Sequence, residues 1–140
     1  MREEIYAAVF ALASAAPGLV TKSRRAKPIQ EITDDMMPAL FQVQAGETYI
    51  QGKPGVPPRR ILAVDLEIYV SNSGDPYGSA GTVLNPIIDA IELALLPDFT
   101  GFQTLGGLVY RAWIEGCIEV FEGLLEGKVV ALIPLQIEIP

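Results

Sequence analysis

Between residues 62 and 70 every second position is a large apolar residue. Leu62, Val64, Leu66, Ile68 and Val70 take one face, and Ala63, Asp65, Glu67 and Tyr69 take the other. A period of two is the mark of a β-strand with one face on a core. The pattern returns over 108–121, with Leu108, Tyr110, Ala112, Ile114, Ile118 and Val120 in one phase. Val109, Arg111, Trp113, Glu115, Cys117, Glu119 and Phe121 hold the opposite phase. It returns again over 129–139, where Val129, Ala131, Ile133, Leu135, Ile137 and Ile139 are in step. Residues 122–128 are short enough to join these last two strands as a hairpin. A shorter strand is expected around Leu40 to Gln44, with residues 47–51 as its hairpin partner. Residues 52–58 hold three prolines and two glycines and read as a loop.

Two segments change period. In the opening MREEIYAAVFALASAAPG, Ile5, Val9 and Leu12 recur at helical spacing, with Tyr6, Phe10 and Ala13 on the adjacent face. An uncharged run ending in Ala-Ser-Ala also has features of an export signal. Glu3 and Glu4, however, make its start acidic where an export signal is basic, and acids suit the positive end of a helix dipole. Alanine is a strong helix former, and Pro17-Gly18 supplies a stop. The segment is therefore expected to be a buried amphipathic helix. A second helix is expected to start between Thr82 and Pro86 and to end at Pro97. Leu84, Ile87, Ile88, Ile91 and Leu95 form its inner stripe, with Asp89 and Glu92 facing out. Pro86 is placed in its first turn. Residues 19–37 and 72–81 are polar and carry little periodicity. The order of elements predicts one domain over 1–140. Its fold class is α+β: a two-layer sandwich, a mostly antiparallel sheet with two helices packed on one face.

Composition narrows the function. The 140 residues are 50% hydrophobic, enough for a substantial core. No stretch reaches the roughly 20 apolar residues of a membrane span, so no membrane partner is expected. A net charge of −7 opposes general nucleic-acid affinity. It does not oppose a surface that DNA must pass without sticking.

The chain has no histidine and one cysteine, Cys117. That removes the commonest general base, the commonest metal ligand, any internal disulfide and any Ser-His-Asp or Cys-His machinery within one chain. Asp34-Asp35, Asp65 with Glu67, and Glu115 with Glu119 are paired carboxylates that could in principle do acid–base work or bind a cation. Acids on the outer face of a strand are, as a rule, simply solvated. The glycines of 101–107 lack the Gly-Lys-Ser/Thr of a phosphate loop. Cys117 lies mid-strand and reads as inert. No enzyme, cofactor or metal is expected.

Two features point to protein contacts. The outer face of the 108–121 strand mixes Trp113 and Phe121 with Arg111 and charges, and Tyr69 extends it onto the central strand; such mixtures are common at protein interfaces. The alternative is that a loop or the proline-rich segment covers this face. The run Lys22, Arg24, Arg25 and Lys27 is either a solvated loop or a surface for an acidic partner.

The whole layout resembles the tail terminator (tail completion) proteins of long-tailed bacteriophages. The resemblance rests on a helix at the start, a variable loop, MMPALFQVQ, the long strand RRILAVDLEIYV, the helix NPIIDAIELALLPDF and a closing strand VVALIPLQIEIP. It implies a ring, usually hexameric, on the end of the tail tube. That ring stops tube growth, offers a docking surface to the head connector and lets DNA pass through its hole. The implied partners are further copies of the chain, the tail tube protein and the head connector or stopper protein. The implied location is the neck of the virion, after assembly in the host cytoplasm. A head-to-tail ring needs two different patches per subunit. One candidate is the face with Tyr69, Arg111, Trp113 and Phe121. The other is Arg24 and Arg25 of the basic run with Arg59-Arg60, meeting acids of the next subunit. Competing readings are another neck protein of the stopper or head-completion type, and a small module binding a ligand between helices and sheet.

Overall fold

The computed structural model describes residues 1–72, 79–125 and 127–140, the side chains of 123–125 excepted. Among the described residues there are two α-helices, α1 (Arg2–Ser14) and α2 (Gly81–Ala94). Six strands accompany them: β1 (Thr21–Ser23), β2 (Ala39–Ile50), β3 (Arg59–Ser71), β4 (Arg111–Ile114), β5 (Glu119–Leu125) and β6 (Lys128–Ile139). They form one sheet in the order β1-β2-β3-β6-β4, with β5 beside β4 along β6. Only β1 runs parallel to its neighbour. This is the expected α+β sandwich. Most of the turn expected at 72–81 lies outside the described residues.

The alternation in β3 is what organises the core. Leu62, Val64, Leu66 and Ile68 are fully buried, and β6 presents Ala131, Ile133, Leu135 and Ile137 in register beside them. Both helices lie on this face, α1 through Ile5, Tyr6, Val9 and Ala13 and α2 through Leu84, Ile87 and Ile91. Burial of these side chains at about 1.5–3 kcal/mol each is the main stabilising term. Gln42 is the one buried polar residue described; its Nε2 donates to the Tyr6 carbonyl (2.9 Å), joining β2 to α1. α2 runs from Gly81, one residue before the expected range of starts, to Ala94, so Pro86 lies inside it rather than in its first turn. Thr82 and Pro86 are both exposed, so water can serve the carbonyl that loses its helical donor.

Residues 47–50 do not form a separate hairpin strand. They continue β2, which passes through a β-bulge: Gln44 pairs with Val64 but Gly46 with Ala63, leaving Ala45 extra. Gly46 takes φ +141°, open to glycine.

The strand expected over 108–121 is also rearranged. Its first residues are not strand. Leu105, Gly106 and Gly107 turn through positive φ, which places Val109 in the core and leaves Leu108 and Tyr110 exposed, the reverse of the expected phase. The rest breaks into β4 and β5, and the cause lies on β6. Pro134 accepts a hydrogen bond from the Glu115 amide (3.0 Å), so the side on which it lacks an N–H faces this strand. Pairing stops there, and Gly116 turns at φ +87°. From Ile114 to Glu119 is five residues, while their partners Leu135 and Leu132 are three apart. An even excess preserves phase, so Arg111, Trp113, Glu119 and Phe121 all remain on the face away from the helices. Cys117 falls in the break and is exposed, not held mid-strand.

Half of that outer face is covered. After β1, short 3-10 turns at Ile29–Glu31 and Asp34–Met36 carry the chain across it. Ile32 and Met37 are buried against Ala39, Phe41, Tyr69 and Val130, with Ile29, Met36, Phe121 and Leu132 half-buried around them. Phe41 meets Tyr69 edge-on at 5.8 Å. Lys128 Nζ donates to the Ile29 carbonyl (2.6 Å). Residues 24–37 are thus a strap over a second, smaller core.

Candidate functional site

The connector after α2 is tied down at both ends. Gln103 Nε2 donates to the carbonyls of Ala94 (3.3 Å) and Leu96 (2.8 Å), closing the helix end. The Ala112 amide donates to the Gln103 carbonyl (2.8 Å), laying the connector along the edge of β4. Asp98 accepts from the hydroxyl and amide of Thr100 (2.6 and 2.8 Å) and from those of Thr104. These bonds, Thr100's first, hold its carboxyl down at about 2.

The ordered connector leaves apolar side chains in water. Phe99 is 99% exposed, with Leu93, Leu96 and Phe102 also exposed. Between them and β4 lies a groove of about 460 Å³, walled by Leu95, Leu96, Phe102, Trp113 and Ile114. Arg111 crosses it. Its guanidinium sits 4.5 Å from the Trp113 ring centroid and 5.9 Å from that of Phe102, while its Nε bonds Glu138 (2.9 Å). Glu138 also takes Arg59 Nε (2.6 Å); Arg59 above all, with Arg111, holds it below the ordinary carboxylate range.

A second apolar surface stands at the β2–β3 turn. Tyr49, Ile50 and Val56 are exposed there. The turn is stiff: the Val56 amide donates to Lys53 O (3.3 Å), Gly55 sits at φ +79°, and Gln51 Nε2 bonds both Lys53 O and Val56 O (2.9 and 3.1 Å). The two surfaces differ in charge. Residues 51–60 carry Lys53, Arg59 and Arg60 and no acid, whereas the charged residues lining the groove are Glu92 and Arg111, the latter bonded to Glu138.

The expected interface residues separate in this frame. Trp113 and Arg111 line the groove. Tyr69, 7% exposed, and Phe121, half-buried, belong to the strap's core, so the covering loop accounts for them and they are not free surface. Arg24 is an ion-pair partner of Glu3, which joins the basic run to α1. Arg25 is exposed. Arg59 bonds Glu138, and the Arg60 guanidinium donates to the Pro140 carbonyl.

Of the paired acids, Glu115 and Glu119 are exposed as expected, and Glu115 accepts from the Trp113 indole. Glu67 is not simply solvated: burial first, and Asp65 second, push its carboxyl up. Phe99, Phe102, Leu96 and Val56 were not legible as surface features, because an apolar loop residue carries no sign of whether anything covers it.

Among the described residues no group of three His, Cys, Asp or Glu side chains could hold a metal. No described helix is long and apolar enough to cross a membrane. Between helices and sheet, at Val9, Leu66, Ile91 and Leu135, the space is a cavity of only about 10 Å³, so a ligand there has no room. No protein-family model matches the chain, and no curated protein is similar enough to it to count as a match.

Proposed function

We propose that this chain is a structural subunit of a bacteriophage neck: a tail terminator that closes head-to-tail into a ring, hexameric in the family it resembles, on the end of the tail tube. In this role it ends tube polymerisation, receives the head connector or stopper protein and lets DNA pass through the ring without specific binding. The observation that carries the reading is the pair of unlike exposed apolar surfaces. One is the groove at the β4 edge; the other is the turn between β2 and β3. Large exposed apolar side chains in clusters mark association surfaces, and a heterologous ring needs two that differ. The acidic balance fits a lumen along which DNA slides.

The test is the mass of the purified protein by light scattering behind a sizing column, alone and with purified tail tubes. A hexamer-sized species, or a monomer that caps tube ends, supports the ring. Trp113→Ala should then weaken assembly by at least roughly tenfold, since a groove-lining Trp is a typical hot spot. A strict monomer or dimer that ignores tubes overturns the reading.

A further inference from the structure

We infer that the β2–β3 turn of one copy docks into the α2–β4 groove of the next. This rests on the ring reading and names its contact. The occupant is a second copy of this chain, and three observations select it.

The first is charge. The turn is basic, with Lys53 at its tip. The groove's helical wall presents Glu92, with Asp89 one turn before it and Glu115 beyond Trp113, while the lining cation, Arg111, is bonded to Glu138. Opposite charges around an apolar centre favour this pairing and penalise its alternatives.

The second is rigidity on both sides. Three prolines, Gly55 and the two Gln51 bonds fix the turn, and the Gln103 and Asp98 bonds fix the groove. Surfaces already ordered lose little conformational entropy on docking.

The third is position. β2 and β4 are separated in the sheet by β3 and β6, and no turn residue lines the groove. A chain therefore does not fill its own groove. Val56 of the turn is 54% exposed. In the docked state Val56 and Pro54 enter between Leu96 and Phe102, Lys53 faces Glu92, and the exposed Phe99 closes over the turn.

The test uses full-length protein in a Cys117→Ser background. Val56→Cys and Leu96→Cys are made separately, with different tags, mixed, and oxidised with copper phenanthroline on the assembled species, alone or on tail tubes. Mixed Val56–Leu96 crosslinks are expected, and few Val56–Val56 ones. The double variant should give a ladder that stops at the ring number. Lys53→Glu and Glu92→Lys should each weaken assembly at least tenfold, and their combination should restore it to within a few-fold. If a ring forms but mixed crosslinks are missing, or the charge swap restores nothing, the docking is wrong and the ring stands. If nothing assembles in either condition, the ring reading falls and takes the docking with it.

Discussion

Ile32 is the residue on which the strap depends. It is fully buried, between the sheet's outer face and the chain crossing it, against Phe41, Tyr69 and Val130. Ile32→Ala removes three carbons from that site. At about 0.8 kcal/mol per buried methylene the transfer loss is about 2.4 kcal/mol. A cavity adds to this, and such substitutions span about 2–5 kcal/mol. Ile29 and Met36 are only half-buried and can move inward, which places the cost in the lower half, about 2–3 kcal/mol. For a chain of 140 residues each kcal/mol lowers the melting midpoint by about 3–4 °C, so a fall of about 6–12 °C is expected. That leaves a folded protein at 25 °C, given typical stabilities of 5–15 kcal/mol.

Circular dichroism gives the midpoint, and hydrogen exchange gives the location. Amides of 28–38 should exchange faster in the variant, while those of β3 and β6 stay protected. Leu66→Ala, in the main core beneath both helices, should cost as much or more and raise exchange throughout. A midpoint that falls by less than about 2 °C, or unchanged exchange over 28–38, would refute the packed strap. It would also return Tyr69 and Phe121 to the free surface.

Two further predictions concern carboxylates. Glu67 has its folded pKa raised above the ordinary 4.5 by burial and by Asp65, so its contribution to stability is present in acid and lost as pH rises through the folded value. Glu67→Gln should therefore melt higher than the parent at pH 7 and level with it near pH 4; a variant less stable at pH 7 would contradict this. Asp98 is the opposite case, with a pKa lowered to about 2, so it stabilises above its ordinary range near 3.8 and ceases to as pH falls towards 2. Asp98→Asn should melt lower than the parent from pH 5 to 7, with the difference closing by pH 2, and a gap independent of pH would remove the carboxylate from the account.

The strict alternation of β3 and β6 and the stripe of α2 were readable because each is a local period imposed by one buried face. What was not readable has its cause elsewhere in space. The break between β4 and β5 follows from a missing N–H on Pro134, a residue of the partner strand. The bulge at Ala45 interrupts the period of β2 by one residue, which in sequence looks like a turn. The strap carries its apolar residues, Ile29, Ile32 and the adjacent Met36 and Met37, without a period and among charges, so nothing announced that they cover a sheet. Trp113 and Phe121 illustrate the limit for the site. Both are aromatic, in the same phase of one stretch of sequence and beside charged neighbours, but Trp113 lies on β4 and Phe121 on β5, and the strap reaches only the latter.

The distribution of charge also bears on how copies meet. A two-fold axis passing through either surface would place like on like: the basic turn against a basic turn, or the acid-rimmed groove against its own copy. Like charges facing across an interface cost several kcal/mol when desolvated, whereas turn-to-groove contacts join opposite signs. Head-to-tail association is therefore favoured by the same feature that disfavours the dimer. A head-to-tail contact closes or grows without limit according to the angle between successive copies. One edge of the sheet is closed to strand addition. The outer edge of β4 is occupied by the chain's own connector through the Gln103 bridge, so sheets cannot simply add strand to strand there, and the contact is left to the groove side chains. Salt separates these contributions: exposed charge pairs weaken with ionic strength over a Debye length of about 8 Å at 0.15 M, while apolar docking persists. High salt should then permit a two-fold species that low salt forbids. If dimers instead dominate at low salt, charge is not what sets the polarity of assembly.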